Sequence, residues 1–173
     1  VEARYCWKID SLLDVYESED MVYEAGSLVE PVSVAYNALF IRAGGFKPGA
    51  YVAVYGAGPI GLASIQLANV AGASKIIAFE VANERARLAK EIGADYVLDP
   101  LQLRKEGQAP SEKIMELTAG LGVDMQVEAA GAPTQTLPEM EKALAINGKI
   151  VWIGRAEKSA PITMERFQTR RGQ

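Results

Sequence analysis

The stretch YGAGPIGLASIQLA, residues 55–68, limits the fold of this chain more than any other. It joins an apolar run, YVAVYG (51–56), to a helix start made of small residues. Within it Gly56, Gly58 and Gly61 stand at G-x-G-x-x-G spacing. The first glycine of such a turn permits a sharp bend. The second lets the backbone approach a ligand without a Cβ in the way, and the third lets the following helix pack close to the sheet. The helix N-terminus then presents unpaired N–H groups and partial positive charge to an anion, and a diphosphate suits it. Alone such a spacing says little; placed between a strand and a helix it has the context it requires.

The rest of the chain from residue 51 repeats that alternation. Short β-rich runs are YVAVYG (51–56), SKIIAFE (74–80), DYVLD (95–99), VDMQVEA (123–129) and GKIVWIG (148–154). Between them the spacing is helical. Leu88, Ala89 and Ile92 share a face before a stop at Gly93, and Ile114 and Leu117 share one before Gly120. Leu137, Met140 and Leu144 form a stripe, with Pro138 in a first turn and Asn147-Gly148 as the exit. Strand and helix in turn predict an α/β fold, a Rossmann-type doubly wound parallel sheet covered on both faces. The strands read as apolar runs more than as strict alternations, as that burial demands.

Residues 1–49 are expected to form an arm and a lead-in helix. In them VYESED (15–20) is acidic and solvated, EPVSVAYNALFIRAGG (30–45) is helical with a Gly-Gly stop, and FKPGAY (46–51) is a turn into the first strand. Residues 50–155 form the dinucleotide-binding domain. Residues 156–173 are a tail carrying Arg166, Arg170 and Arg171 without a clear element.

Composition narrows the chemistry. The chain has 173 residues, 49% hydrophobic and 23% charged, enough for one domain with a core. A formal charge of −4 disfavours nucleic acid as a partner. No apolar run is long enough for a membrane span and no secretory signal is visible, so a cytoplasmic location is expected. One cysteine, Cys6, fits a reducing interior. With no histidine at all, neither a Ser-His-Asp site nor a His-ligated catalytic metal can be built from this chain.

A dinucleotide fold requires one more residue, an acid ending the second strand to meet the adenosine ribose, and Glu80 stands there, 24 positions after Gly56. A methyltransferase also uses a glycine-rich first turn and such an acid. Its cofactor has no diphosphate for the helix N-terminus, so that alternative ranks lower. Short-chain dehydrogenase chemistry needs Tyr with Lys four residues on, and none of the seven tyrosines has it.

With LVEPVSVAYNAL, KPGAYVAVYGAGPIGLASIQLANVAGASKIIAFE, RLAKEIGADYVLDP and EAAG in hand, the chain resembles the medium-chain dehydrogenase/reductase family, most of all its zinc-type branch acting on polyols. The resemblance implies a Rossmann domain for a nicotinamide dinucleotide, paired with a separate catalytic zinc domain preceding this chain. Gly56, Gly58, Pro59, Ile60 and Gly61 match the diphosphate loop. Glu80 matches the acid on the adenosine ribose, and Arg85 a basic residue near the adenine end. Ala129, Ala130 and Gly131 match the stretch flanking the cofactor. Ile153 and Gly154 match backbone near the nicotinamide, and Val34 a position against its ring. Glu30 matches a carboxylate that approaches the zinc, whose Cys and His partners belong to the catalytic domain. One carboxylate cannot hold Zn²⁺, so no zinc is expected here and Glu30 is read as a helix N-terminal acid.

The cofactor implied is NAD, with NADP as the alternative. The family's sixth strand, after Arg170-Arg171, is cut at Gln173. The edge around Ile150 to Ile153 is therefore expected either to self-associate or to be covered by the tail. The expected partners are thus the dinucleotide and either the missing catalytic domain or a second copy. The competing reading is a stand-alone module that binds or senses a dinucleotide.

Overall fold

The structure is a computed structural model describing residues 2–155 and 159–173. Two 3-10 turns, Ala3–Tyr5 and Asp10–Asp14, lead to α1 (Glu19–Ser27), whose first turn is capped by Ser18 accepting from the Met21 amide at 3.3 Å. α2 (Val29–Tyr36) runs directly into a π-helical segment, Asn37–Arg42, and the chain leaves it through Gly44 and Gly45, both at positive φ. Glu30 sits in the first turn of α2, on the side of the dipole that favours an acid.

Five parallel strands follow: β1 (Tyr51–Tyr55), β2 (Lys75–Phe79), β3 (Tyr96–Leu98), β4 (Val123–Glu128) and β5 (Leu144–Trp152). Their order across the sheet is β3-β2-β1-β4-β5. The order reverses between β1 and β4, so a crevice opens at the carboxyl ends of those two strands. Helices α3 (Pro59–Val70) and α4 (Asn83–Glu91) connect the strands on one side. α5 (Pro100–Lys105), α6 (Pro110–Leu117) and α7 (Pro133–Lys142) do so on the other, and α8 (Met164–Thr169) follows β5.

Strand side chains alternate between faces, and here both faces are covered. Val52 and Val54 of β1 join Ile65, Ile76, Met125 and Val127 in one core. Ala53 and Tyr55 join Ile77, Phe79, Ile114 and Met140 in the other. Ile65, Ile76 and Ile77 are essentially unexposed, and each such burial contributes about 1.5–3 kcal/mol. α3 lies close to the sheet because Gly61, Ala63, Ser64 and Ala68 on its buried face are small.

The doubly wound fold is as expected; several boundaries are not. β5 begins at Leu144 and not at 148, so Leu144 belongs to the strand and not to a stripe with Leu137 and Met140. Asn147 and Gly148 are not a helix exit but lie within β5. There the register slips between Val123 and Met125 of β4, and Asn147 takes φ 61°. α7 starts at Pro133, which places Pro138 in the helix interior, where it withholds one i→i−4 bond. The tail contains α8 where no element was expected, and α5 was likewise not foreseen. Ala156, the expected start of the tail, lies outside the described residues.

The outer edge of β5 is partly covered by that tail. The Asn147 amide donates to the Arg170 carbonyl at 2.7 Å. The Gln173 amide donates to Gly148 at 3.0 Å, and the Ile150 amide donates to Gln173 at 2.8 Å. The last two bonds bracket Lys149 as a parallel bridge does, so Gln173 lies against β5 as one rung of a further strand. Trp152, beyond that rung, is 46% exposed. No helix among the described residues is long and apolar enough to cross a membrane.

Candidate functional site

The crevice at the β1–β4 switch is a cleft of about 320 Å³ that brings together Gly56, Gly58, Glu80, Arg85, Ala129 and Ala130. Its floor is the stacked pair Tyr55 and Phe79, ring centroids 4.8 Å apart. The Tyr55 hydroxyl donates to Gln126 Oε1 at 3.2 Å, and Gln126 Nε2 donates to the Met140 carbonyl at 2.6 Å. Burial pushes the Tyr55 hydroxyl well above its ordinary value, with the charge of Glu139 adding to it, so this residue stays a neutral donor.

Each glycine of the loop meets different surroundings. Gly56 takes φ 91°, and a Cβ on it would come within 2.8 Å of the Ala130 amide; only glycine fits the turn there. Gly61 is buried, and a Cβ on it would overlap the Gly56 carbonyl oxygen. Gly58 is the exception, with an ordinary extended backbone (φ −70°, ψ −176°) and nothing within 4 Å of a Cβ placed on it. It is the N-cap of α3, and no side chain caps that helix. Pro59 has no N–H to offer, whereas the amides of Ile60 and Gly61 in the first turn have no intrahelical acceptor. Open space before bare first-turn amides is the cradle that a diphosphate would fill.

Glu80, beyond the end of β2, is 6% exposed. Its Oε2 accepts from the Ala57 amide at 2.8 Å. Its Oε1 accepts from the amides of Val81 and Ala82 at 2.9 and 2.8 Å and from Arg85 Nη2 at 2.9 Å. Burial by itself would raise this carboxyl, but the Ala82 and Ala57 amides and the Arg85 guanidinium outweigh it and hold the group below its ordinary value. Four donors meet this carboxylate, three of them crowded on Oε1 and one on Oε2. Glu80 therefore ties the glycine loop to the end of β2. Spacing alone put an acid at the end of β2 but gave no sign of these bonds.

On the other side of the crevice, Ala129–Gly131 and Ile153–Gly154 meet. A Cβ on Gly154 would come within 2.6 Å of the Gly131 amide, and the Ile153 and Gly154 amides both donate to the Glu128 carbonyl, at 3.0 and 2.8 Å. Val34 and Ile153 are also brought together, but in a separate cleft of about 740 Å³ beside Lys149. Lys149 Nζ donates to the carbonyls of Ala43 and Gly45 at 2.6 and 2.8 Å and so fastens the end of the lead-in helix to β5. Of the thirteen residues singled out from the sequence, Gly56, Gly58, Glu80, Arg85, Ala129 and Ala130 line the main cleft and Val34 and Ile153 the second, whereas Pro59, Ile60, Gly61, Gly131 and Gly154 line neither. Glu128, fully buried among them, was not singled out.

The donor set does not fit zinc. The chain has no histidine, Glu30 is an exposed carboxylate, and the described residues contain no cluster of three or more His, Cys, Asp or Glu able to hold a metal ion.

Residues 59–172 match the family model described as zinc-binding dehydrogenase. The chain is 45% identical to scyllo-inosose 3-dehydrogenase of Thermotoga maritima over all of its own length and 43% of that protein's. It is 29% identical to sorbitol dehydrogenase of Bos taurus over 97% of its length and 43% of the relative's. The crystal structure of 2R,3R-butanediol dehydrogenase of Bacillus subtilis superposes with a TM-score of 0.74 at 36% identity, covering 87% of this chain and 41% of that one. The chain therefore spans less than half the length of the relatives it matches. With its switch-point crevice and glycine cradle, this chain belongs to the zinc-binding dehydrogenase family and corresponds to the dinucleotide-binding domain of its members.

Proposed function

We propose that the chain binds NAD along the carboxyl ends of its strands, with the diphosphate at the α3 N-terminus. The adenosine then lies over Tyr55 and Phe79 toward Glu80 and Arg85, and the nicotinamide half runs past Ala129–Gly131 to Ile153, Gly154 and Val34. The observation that carries this reading is Gly58, a glycine that the fold does not need, standing before uncapped amides. In a complete enzyme this domain would hold the cofactor for hydride transfer with a secondary alcohol, while the metal and the alcohol would be held elsewhere.

Calorimetry with NAD, ADP-ribose and S-adenosylmethionine tests the reading. The first two should bind, and binding of S-adenosylmethionine alone would overturn it in favour of a methyltransferase-like site.

Discrimination between NAD and NADP depends on the Glu80–Arg85 pair. Three donors already crowd Oε1, so a ribose hydroxyl can reach that oxygen only by replacing one of them, and Arg85, whose side chain is 49% exposed, is the one free to swing away. A 2′-phosphate would instead meet the carboxylate, still pinned by three amides, with Arg85 as its only compensation. Hydrogen bonds to charged groups contribute roughly 1.5–3 kcal/mol, a preference for NAD of about 10- to 100-fold. Arg85→Ala should leave NAD binding at least as tight as in the wild type and weaken NADP about 10-fold or more. Equal titration curves for NADP before and after the substitution would show that Arg85 never meets the phosphate.

The edge of β5 beyond Ile150 belongs to the same proposal as a contact surface for a second copy of the chain. Sedimentation across a concentration series should show reversible association, and a monomer at every concentration would remove that partner.

A further inference from the structure

Glu128 ends β4 at zero exposure, and nothing in the binding of a dinucleotide as described uses it. A buried carboxylate is unfavourable unless its oxygens find donors. Oε1 finds two amides, those of Ala130 and Ala132, both at 3.2 Å, and lies 3.4 Å from the Thr136 hydroxyl, whose one proton is shared with the nearer Ala132 carbonyl at 3.2 Å. Oε2 is buried with no hydrogen-bond partner. It fills the place where a side chain on residue 154 would be, since a Cβ on Gly154 would overlap it.

α7, whose N-cap residue Ala132 has no capping side chain, takes its N-terminal acceptor from this neighbouring carboxylate. The carbonyl of the same residue accepts from Ile153 and Gly154. One residue therefore joins the Ala129–Ala132 turn, the start of α7 and the end of β5. The turn in turn touches the diphosphate loop, where Gly56 lies against Ala130 too closely for any Cβ.

We propose that Glu128 is a positioning residue for the cofactor. Its carboxylate fixes the wall formed by Ala129, Ala130 and Ala132 against Gly56 and Gly154 before a ligand arrives. The inference rests on the dinucleotide reading above. Two features of the site fit with it. Residue 154 is glycine because Oε2 and the Gly131 backbone together occupy its side-chain space. The turn needs no side chain of its own larger than a methyl group, because the acid beneath it supplies the bonds.

The test compares Glu128→Gln, Glu128→Asp and Glu128→Met in the full chain, at a temperature where circular dichroism shows each to be folded. Glutamine keeps an acceptor oxygen and the shape of the side chain, and should bind NAD within about twofold of the wild type. Methionine fills the space without an acceptor and should weaken NAD about 10-fold, with faster amide exchange at Ala130 and Ala132. Aspartate retracts the oxygens by one methylene and should weaken binding in the same direction; it serves as the measurement if the methionine variant does not fold. A structural role alone would lower the melting temperature while leaving the dissociation constant of the folded protein and its rescue by glutamine unmoved. Wild-type affinity in both the methionine and aspartate variants would overturn the inference, as would loss of binding with glutamine. No binding of NAD by the wild type would instead overturn the dinucleotide reading.

Discussion

Gly58→Val should melt close to the wild type and bind no dinucleotide, whereas Gly61→Ala should unfold far more easily. The two glycines belong to one spacing, yet they answer to different constraints. At Gly58 the backbone is in a region open to any residue and the added side chain points into empty space, so the change in stability should stay within about 1 kcal/mol, set by the N-cap preference for glycine over valine. That empty space lies before the free amides of Ile60 and Gly61, and a branched side chain would occupy the volume a diphosphate needs.

At Gly61 the clash is with the Gly56 carbonyl, a backbone atom that cannot rotate away. Gly56 in turn is wedged against Ala130 and bound through its amide to Phe79 at 2.8 Å. Forcing an atom into such a site costs about 3 kcal/mol or more, a large part of the total stability of a domain. For a chain of this length each kcal/mol is worth roughly 2–4 °C, so the melting temperature should fall by about 6–12 °C. Thermal melts paired with calorimetry of both variants separate the two effects. Gly58→Val binding NAD like the wild type would mean that no ligand comes to the α3 N-terminus.

That contrast also shows what can be read in a sequence of this kind. The glycine spacing is local, so it announces both the turn and the strand and helix on either side. The spacing also gives each glycine its own task, and the packing adds the reason: Gly56 and Gly61 have backbone where a Cβ would go, while Gly58 is left open. The start of β5 was misread for a physical reason. Leu144 falls at helical spacing from Leu137 and Met140, and Asn-Gly is a common helix stop, whereas here the pair allows a register slip inside a strand. α5 and α8, at six residues each, are too short to show a period. Glu128 escaped notice because an acid at the end of VDMQVEA resembles any strand terminus meeting water. Its burial depends on the amides of Ala130 and Ala132, which no spacing rule connects to it.

Glu80→Ala should be the most damaging change to a charged residue in the cleft, and the damage should depend on pH. The substitution removes the acceptor of the Ala57, Val81 and Ala82 amides at once and releases Arg85. A buried donor left without a partner costs about 1–3 kcal/mol. Val81 is half exposed and regains water, so the sum should be near 3 kcal/mol rather than the full three-amide total. Glu80→Gln is no remedy. The Ala57 amide donates to one oxygen while three donors converge on the other, so an amide NH₂ must face a donor whichever way it turns.

The sign of the pH effect follows from the depressed value of this carboxyl in the folded state. Its contribution to stability is fully present above the unfolded carboxyl's 4.5 and disappears as the pH falls through the lower folded value. The difference in unfolding free energy between wild type and Glu80→Ala should therefore be constant from neutral pH down to about 5 and shrink below that. Urea titrations at a series of pH values would measure it. A difference that persists undiminished at pH 3 would mean that the loop is held by the shape of the side chain and not by its charge.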